Sequence, residues 1–357
     1  VRIVIVIEAI PPYCGGAEHV AWIHATQMAL DHEVSVVTFA KERRTEQREG
    51  VAVHFMPATR HKLASYLSTH RSLLNDCIDS FAPDIIHCHM PNVLSACISP
   101  RKRPFVSTIH DGVPENELQM SRLGWLRFKV LRRLNIHNSN VVTCVSQHNR
   151  DIMRTIYSSC ADKFVFIPNP VNERFLKPVA DRDEGYVLNF GRQIALKMGV
   201  LIDVARLMPD TRFVFVGTGD MVGDYGLTNI EFVGFSDAVE TYIDGSSVCV
   251  FPSGSENFPL VGLEAMARGK AVVATKRGFS EYIDHGRNGY LLDSSDPEDV
   301  ARSLSEVLAN EGLKRRLGES ARITAEQYRP DAIVSQYERL YEKLLTQRSG
   351  HPGILDS

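Results

Sequence analysis

IPNPVNERFLKP, residues Ile167–Pro178, is the stretch on which the fold turns. Short β-branched runs precede it: RIVIVIE (2–8), EVSVVTF (33–39), VAVHF (51–55), DIIHC (84–88), PFVSTI (104–109) and VVTCV (141–145). Segments with apolar residues at helical spacing separate them, the pattern of a parallel sheet covered by helices on both faces. After this Pro-rich stretch the pattern restarts with YVLNFG (186–191), RFVFVG (212–217), IEFVG (230–234), VCVFP (248–252), AVVAT (271–275) and YLL (290–292). The chain is therefore expected to be α/β, with a first domain over 1–170, a linker over 171–184 and a second domain over 185–327. Pro330 opens a patterned helix, 330–347, that can pack back on the first domain. The tail 349–357 reads as disordered.

The 357 residues, 44% of them hydrophobic, are too many for one ordinary α/β core and few for three. A formal charge of -3 argues against nucleic acid as a partner and for a small molecule. Seven scattered cysteines, Cys14, Cys77, Cys88, Cys97, Cys144, Cys160 and Cys249, form no C-x-x-C pair and suit reduced thiols in a cytoplasmic protein. The opening apolar run ends at Glu8, too short to span a bilayer.

In open parallel sheets ligands sit outside the carboxyl ends of the strands, so the loops there carry the chemistry. After the first strand, Gly15 and Gly16 directly precede an amphipathic helix. Paired glycines let the backbone approach a ligand, and a helix N-terminus favours an anion. The motif is not G-x-G-x-x-G, and Thr38 and Phe39 stand where a dinucleotide fold needs an acidic residue, so a dinucleotide cofactor is disfavoured. In the second half, Arg192 and Lys197 occupy a strand-to-helix loop, where two cations can neutralise a diphosphate without a metal. Farther on, Glu256 and Glu264 are separated by about two helical turns, so a helix beginning near Pro259 brings both carboxylates to one crevice.

Residues Phe251–Leu292 resemble the signature of the retaining glycosyltransferase family 4. The resemblance extends over nearly the whole chain through PDIIHCH, TIHD, VTCVS, FIPNPVN, FGRQIALK and FVGTGD, in the family's order. It implies the GT-B fold, two facing Rossmann-like domains with parallel sheets and an interdomain cleft. It also implies transfer of a sugar from a nucleoside diphosphate sugar to an acceptor hydroxyl, metal-independent, without a cofactor. Under the resemblance Gly16 contacts the donor diphosphate, with Gly15 beside it, and Arg192 with Lys197 holds the phosphates. Glu264 accepts hydrogen bonds from the ribose, Glu256 sits beside the sugar, and His110 lies near its reacting end. The amides of Phe258, Leu260 and Val261 line the same pocket, and Gly217 and Gly219 shape the nucleotide side. Pro259, where many relatives have Gly, and Met198, between Lys197 and Gly199, depart from the common pattern. A uridine diphosphate sugar is the first choice of donor. The acceptor is a sugar, a small molecule or a lipid-linked glycan. The rival readings are a nucleotide-sugar epimerase of the same fold and a non-catalytic nucleotide-sugar-binding protein.

Other features have plainer explanations. His87 and His89 share one face of a strand and Cys88 the other, too few ligands for a metal site; His89 is expected to line the acceptor side. Ser146 lacks the G-x-S-x-G elbow and reads as a helix N-cap. Residues 121–137, SRLGWLRFKVLRRLNIH, interleave Arg122, Arg127, Lys129, Arg132 and Arg133 with apolar residues. Such a helix either packs its apolar stripe on the sheet with its cations solvated or makes peripheral contact with anionic lipid.

Overall fold

A computed structural model describes residues 1–11, 15–57, 71–89, 98–99, 103–110, 122–177 and 182–348. Cys14, Cys97, His61, His70, the tail 349–357 and the side chains of residues 122–128 lie outside that description. The chain divides into two units, Val1–Pro170 with the segment from Pro330 onward, and Val171–Arg329.

The first unit runs β1 (Arg2–Val6), α1 (Gly16–Met28), β2 (Glu33–Ala40), β3 (Arg44–Arg48), β4 (Val51–Pro57), α2 (Arg71–Ser80), β5 (Ile85–His89), β6 (Phe105–Ile109), α3 (Arg122–Asn138), β7 (Val141–Cys144), α4 (Gln147–Ile156) and β8 (Phe164–Phe166). The sheet order is β3-β4-β2-β1-β5-β6-β7-β8. Every pairing is parallel except β3 with β4. All five residues of β5 and of β6 are buried, as strands covered on both faces must be. The edge strand β3, Arg-Thr-Glu-Gln-Arg, has no apolar alternation. It is held by a two-residue hairpin in which Glu49 and Gly50 both take positive φ, 50° and 81°, the geometry whose twist matches antiparallel strands. Its charges suit an exposed edge. Ser146 caps α4 by accepting the Asn149 amide at 3.1 Å.

The second unit runs β9 (Tyr186–Phe190), α5 (Ala195–Met198), α6 (Val200–Leu207), β10 (Arg212–Val216), β11 (Ile230–Gly234), α7 (Val239–Gly245), β12 (Ser246–Phe251), α8 (Leu260–Ala267), β13 (Ala271–Thr275), β14 (Tyr290–Leu292), α9 (Pro297–Ala309) and α10 (Glu311–Ala325). Its all-parallel sheet is ordered β11-β10-β9-β12-β13-β14. Counted from β9 this is 3-2-1-4-5-6, the Rossmann order. Val187, Phe213, Phe215, Val248, Val250 and Val273 form its core with Leu201 and Val204 of α6 and Val300 and Leu304 of α9.

Residues 171–177 and 182–184, expected as linker, are built into this second unit. The Val171 amide donates to the Tyr328 carbonyl at 2.8 Å, Phe175 is buried, and Arg268 donates to the Lys177 carbonyl at 3.0 Å. Asp183 accepts from Ser247 at 2.5 Å and from Lys314 at 2.9 Å. The segment's apolar and polar groups both find partners there, which fixes it. The last helix, α11 (Pro330–Arg348), returns to the first unit and packs on α1. Between that helix and the sheet, α1 is buried at six consecutive residues, Val20–Ala25, and is not the amphipathic helix expected. Among the described residues no helix is long and apolar enough to cross a membrane.

Candidate active site

Each sheet reverses its strand order beside its first strand, between β1 and β5 in the first unit and between β9 and β12 in the second. Loops leaving the carboxyl ends of such a strand pair diverge and open a ligand crevice. Most of the expected site residues fall at these two places; His110, after β6, and Gly217 and Gly219, after β10, lie one strand away.

In the second unit, β9 ends at Phe190 and its loop carries Gly191, Arg192 and Gln193 into α5, on which Lys197 lies. Arg192 is exposed, and its guanidinium has no bonded partner among the described residues. This loop is held by its neighbour after β10. The Gly191 amide donates to the Val216 carbonyl at 3.0 Å, the Gln193 amide to the Thr218 carbonyl at 3.0 Å, and the Met221 amide to the Gln193 carbonyl at 3.0 Å. The two backbones approach so closely that a Cβ on Gly217 would lie 1.9 Å from the Gly191 oxygen, and one on Gly219 1.9 Å from the Gln193 oxygen. Gly217 also takes φ +134°, which side-chain-bearing residues rarely adopt. The structure thus gives these two glycines a local reason: they allow the loop contact that holds Arg192 in place.

Opposite, β12 ends at Phe251 and leads into the loop that bears Glu256 and then α8. Glu256 accepts from the Lys197 ammonium at 2.8 Å, joining the two loops across the switch point. Pro259 is the N-cap of α8 and offers no side-chain cap, so Leu260 and Val261 stand in its first turn. The Tyr282 hydroxyl donates to the Pro259 carbonyl at 2.6 Å and anchors that turn. Burial first, and then Glu256, Tyr328 and Glu264, hold the Tyr282 phenol in its neutral form, its pKa well above the usual value. Glu256 and Glu264 both act electrostatically on this phenol. Phe258 is 5% exposed and packs against Tyr282 and Tyr328, so its ring is core and only its backbone is available to a ligand.

Glu264 is unusual electrostatically. Desolvation pushes its carboxyl up to about 7; Arg174 opposes the shift and Glu240 adds to it. Arg174 and Glu240 are themselves paired at 3.3 Å, which weakens the compensation Arg174 can give. Arg174 belongs to the segment expected as linker, and sequence reading gave no signal for its place here.

In the first unit, Gly15 is the extended N-cap of α1 without a side-chain cap bond, and Gly16 is its first helical residue. His89 ends β5 and His110 follows β6. His89, expected to line the acceptor side, is only 2% exposed. Its ring lies between His110, at 3.0 Å, and His24 of α1, at 3.2 Å, so it stands behind His110 instead of facing a ligand. His24, His87 and His89 offer ligand atoms within 4.8 Å of one another, and His24 is the member that sequence reading missed. All six of their ring nitrogens are already hydrogen-bonded within the protein. Burial lowers all four histidines; His24 and His110 fall to about 3. They are neutral near pH 7.

In α3, Lys129, Val130, Arg133, Leu134 and His137 are exposed on one face, and Arg132 is buried at 3%. This corrects the expected solvated basic set: position 132 falls on the face turned toward Asn135 and Ile136, which are buried too.

Two α/β units, each with its candidate ligand loops at the carboxyl ends of a largely parallel sheet, make up the GT-B fold. The family model described as Glycosyltransferase Family 4 matches residues 14–175, and the one described as Glycosyl transferases group 1 matches residues 186–310. The chain belongs to glycosyltransferase family 4. It is 28% identical over 350 residues to an uncharacterised glycosyltransferase of Methanocaldococcus jannaschii, covering 93% of this chain and 96% of that one. It is 30% identical over 240 residues to the N-acetyl-alpha-D-glucosaminyl L-malate synthase of Bacillus anthracis, covering 60% of this chain and 62% of that one. Its fold is shared with a sucrose-phosphate synthase of Thermosynechococcus elongatus, with TM-score 0.82, 20% identity and coverage of 97% and 99% of the two chains. The Anabaena protein Alr3699/HepE, solved with UDP-glucose, matches with TM-score 0.77, 20% identity and coverage of 96% and 99%.

Proposed function

We propose that this glycosyltransferase moves a sugar from a nucleoside diphosphate sugar to an acceptor hydroxyl, with retention at the anomeric carbon and without a metal ion. The observation that carries this reading is the cationic pair at the second sheet's switch point, Lys197 and the exposed Arg192, with Lys197 tied to Glu256 at 2.8 Å. A diphosphate is the leaving group such a pair suits, because breaking the anomeric C–O bond leaves negative charge on a phosphate oxygen. The acceptor oxygen then attacks from the face the diphosphate leaves, and the departing phosphate oxygen takes the acceptor's proton. Fixed cations replace the charge stabilisation a divalent ion gives elsewhere.

Glu264 would accept the ribose hydroxyls and the first-turn amides of α8 would meet the phosphates or the sugar. Glu256, held by Lys197, would contact the transferred sugar, with His110 near its reacting carbon. Gly15 and Gly16 would give the diphosphate close backbone approach. The Anabaena protein's UDP-glucose supports a uridine diphosphate hexose as the first donor to try. For the acceptor, exposed Val130 (51%) and Leu134 (46%) beside Lys129 and Arg133 favour a lipid-linked glycan reached from a cytoplasmic membrane surface. A thermal-shift panel of nucleotide sugars tests the reading, since a ligand that binds the folded state raises its stability with occupancy. Stabilisation by a nucleoside diphosphate and its sugar, unchanged by chelator, is expected. No stabilisation by any member, or stabilisation only with a divalent ion, would contradict it.

A further inference from the structure

We propose that His89, His24 and Tyr341 are positioning residues that fix which nitrogen of the His110 imidazole carries its proton. They belong to one unbroken hydrogen-bonded chain. His110 Nε2 is 3.0 Å from His89 Nδ1, and His89 Nε2 is 3.2 Å from His24 Nδ1. His24 Nε2 is 3.4 Å from the Tyr341 hydroxyl, which lies 2.5 Å from His87 Nδ1. His87 Nε2 is 2.7 Å from Thr108 Oγ1, Thr108 Oγ1 is 2.5 Å from Thr143 Oγ1, and Thr143 donates to the Ser107 carbonyl at 3.5 Å.

A neutral imidazole has one N–H and one lone pair, and a hydroxyl has one proton. Each contact in the chain therefore needs one donor and one acceptor, and the assignment at one end decides every other. The Ser107 carbonyl can only accept. Thr143 gives its proton there and accepts from Thr108; Thr108 in turn accepts from His87 Nε2–H. His87 Nδ1 then accepts from Tyr341, Tyr341 accepts from His24 Nε2–H, and His24 Nδ1 accepts from His89 Nε2–H. His89 Nδ1 is left to accept from His110 Nε2–H. His110 thus carries its proton on Nε2 and its lone pair on Nδ1, a hydrogen-bond acceptor. Tyr337, 3.4 Å from Thr108 and 3.5 Å from Thr143, donates to either without reversing the chain. The consequence for turnover rests on the reading above that sets His110 beside the transferred sugar; the tautomer itself does not.

The direct test is two-bond 15N–1H correlation spectroscopy of histidine-labelled protein, which reports the tautomer of each ring. For the wild type, Nε2–H is expected at His110, His89, His24 and His87. Tyr341→Phe removes the oxygen between His24 and His87 but keeps the ring, and Thr143→Val unties the far end from the carbonyl at nearly constant shape. Either variant is expected to mix the two tautomers at His110 and to lower kcat about tenfold, the scale for losing a group that orients a site residue. The KM for donor is expected to stay within twofold. A His110 fixed as Nδ1–H in the wild type, or unchanged tautomers in both folded variants, would overturn the proposal. So would tight stoichiometric Zn2+ binding that shifts His24, His87 and His89 together. If His110→Ala leaves turnover unchanged while the tautomers respond as described, the placement of His110 at the sugar fails and the chain stands.

Discussion

Replacing Glu264 with glutamine separates the cost of its burial from its use. The carboxyl's pKa is raised from 4.5 to about 7, chiefly by desolvation. At about 1.4 kcal/mol per unit that is about 3 kcal/mol as an upper figure, because the residue keeps some exposure and solvent relieves part of the cost. The sign follows from proton counting. Between pH 4.5 and 7 the folded state holds the proton more tightly than the unfolded one, so this group's contribution to stability falls as pH rises, and the loss is complete above 7. The glutamine side chain has nearly the same shape and no ionisation. The stability difference, Glu264→Gln minus wild type, should therefore be small near pH 4.5 and grow to about 2 to 3 kcal/mol in favour of the variant at pH 8. Urea unfolding read by hydrogen exchange on peptides from β9 and β12 confines the measurement to the second unit. The same substitution should weaken nucleoside diphosphate binding about tenfold at pH 8, since a neutral amide is a poorer acceptor for two hydroxyls than a carboxylate. A stability difference that stays flat between pH 4.5 and 8 would refute the claim that burial raises this carboxyl.

Arg192→Ala should raise the transfer barrier by about 2 to 4 kcal/mol with little change in stability; turnover within twofold of wild type in steady-state assays would remove it from the phosphate site. Gly217→Ala should lower stability by about 2 kcal/mol or more, because its Cβ would lie 1.9 Å from the Gly191 oxygen at φ +134°, and a melting temperature within a degree of wild type would contradict the loop contact. The lowered histidine pKa values mean that the unfolded chain takes up protons the folded first unit refuses, so its stability should fall as pH drops from 6.5 toward 3. Urea midpoints on first-unit peptides that do not move over that range would argue against neutral buried imidazoles. Lys129→Gln with Arg133→Gln should weaken sedimentation with anionic vesicles, at about 1 kcal/mol per charge near the surface. Wild-type protein that ignores anionic and neutral vesicles alike would leave the exposed α3 face without that role.

Elements with strong local signals were legible. The runs of β-branched residues gave most strands, and Pro259 gave the start of α8. The strand β3 was not, because RTEQR has no apolar alternation and pairs only through its hairpin. Nor was β8, whose three residues are too few to show a period. Residues 171–177 read as linker because Pro168, Pro170 and Pro178 flank them and so short a stretch shows no period, which hides the contacts of Phe175, Arg174 and Val171. The histidine cluster lay beyond sequence for a different reason. His24 is 65 residues from His89, and Tyr341 is 254 from His87; nothing local in an apolar helix marks one histidine as their partner. The packing of α1 on β5 brings the histidines together, and the return of α11 to the first unit adds Tyr341.

The most direct test of the central claim is a proton NMR time course of the protein with the nucleotide sugar that stabilises it and an acceptor, run in chelator. Release of nucleoside diphosphate is expected together with a glycosidic product whose anomeric proton shows the donor's own configuration. An inverted anomeric signal, a rearranged sugar without transfer, or a donor that stays intact until a divalent ion is added would contradict it.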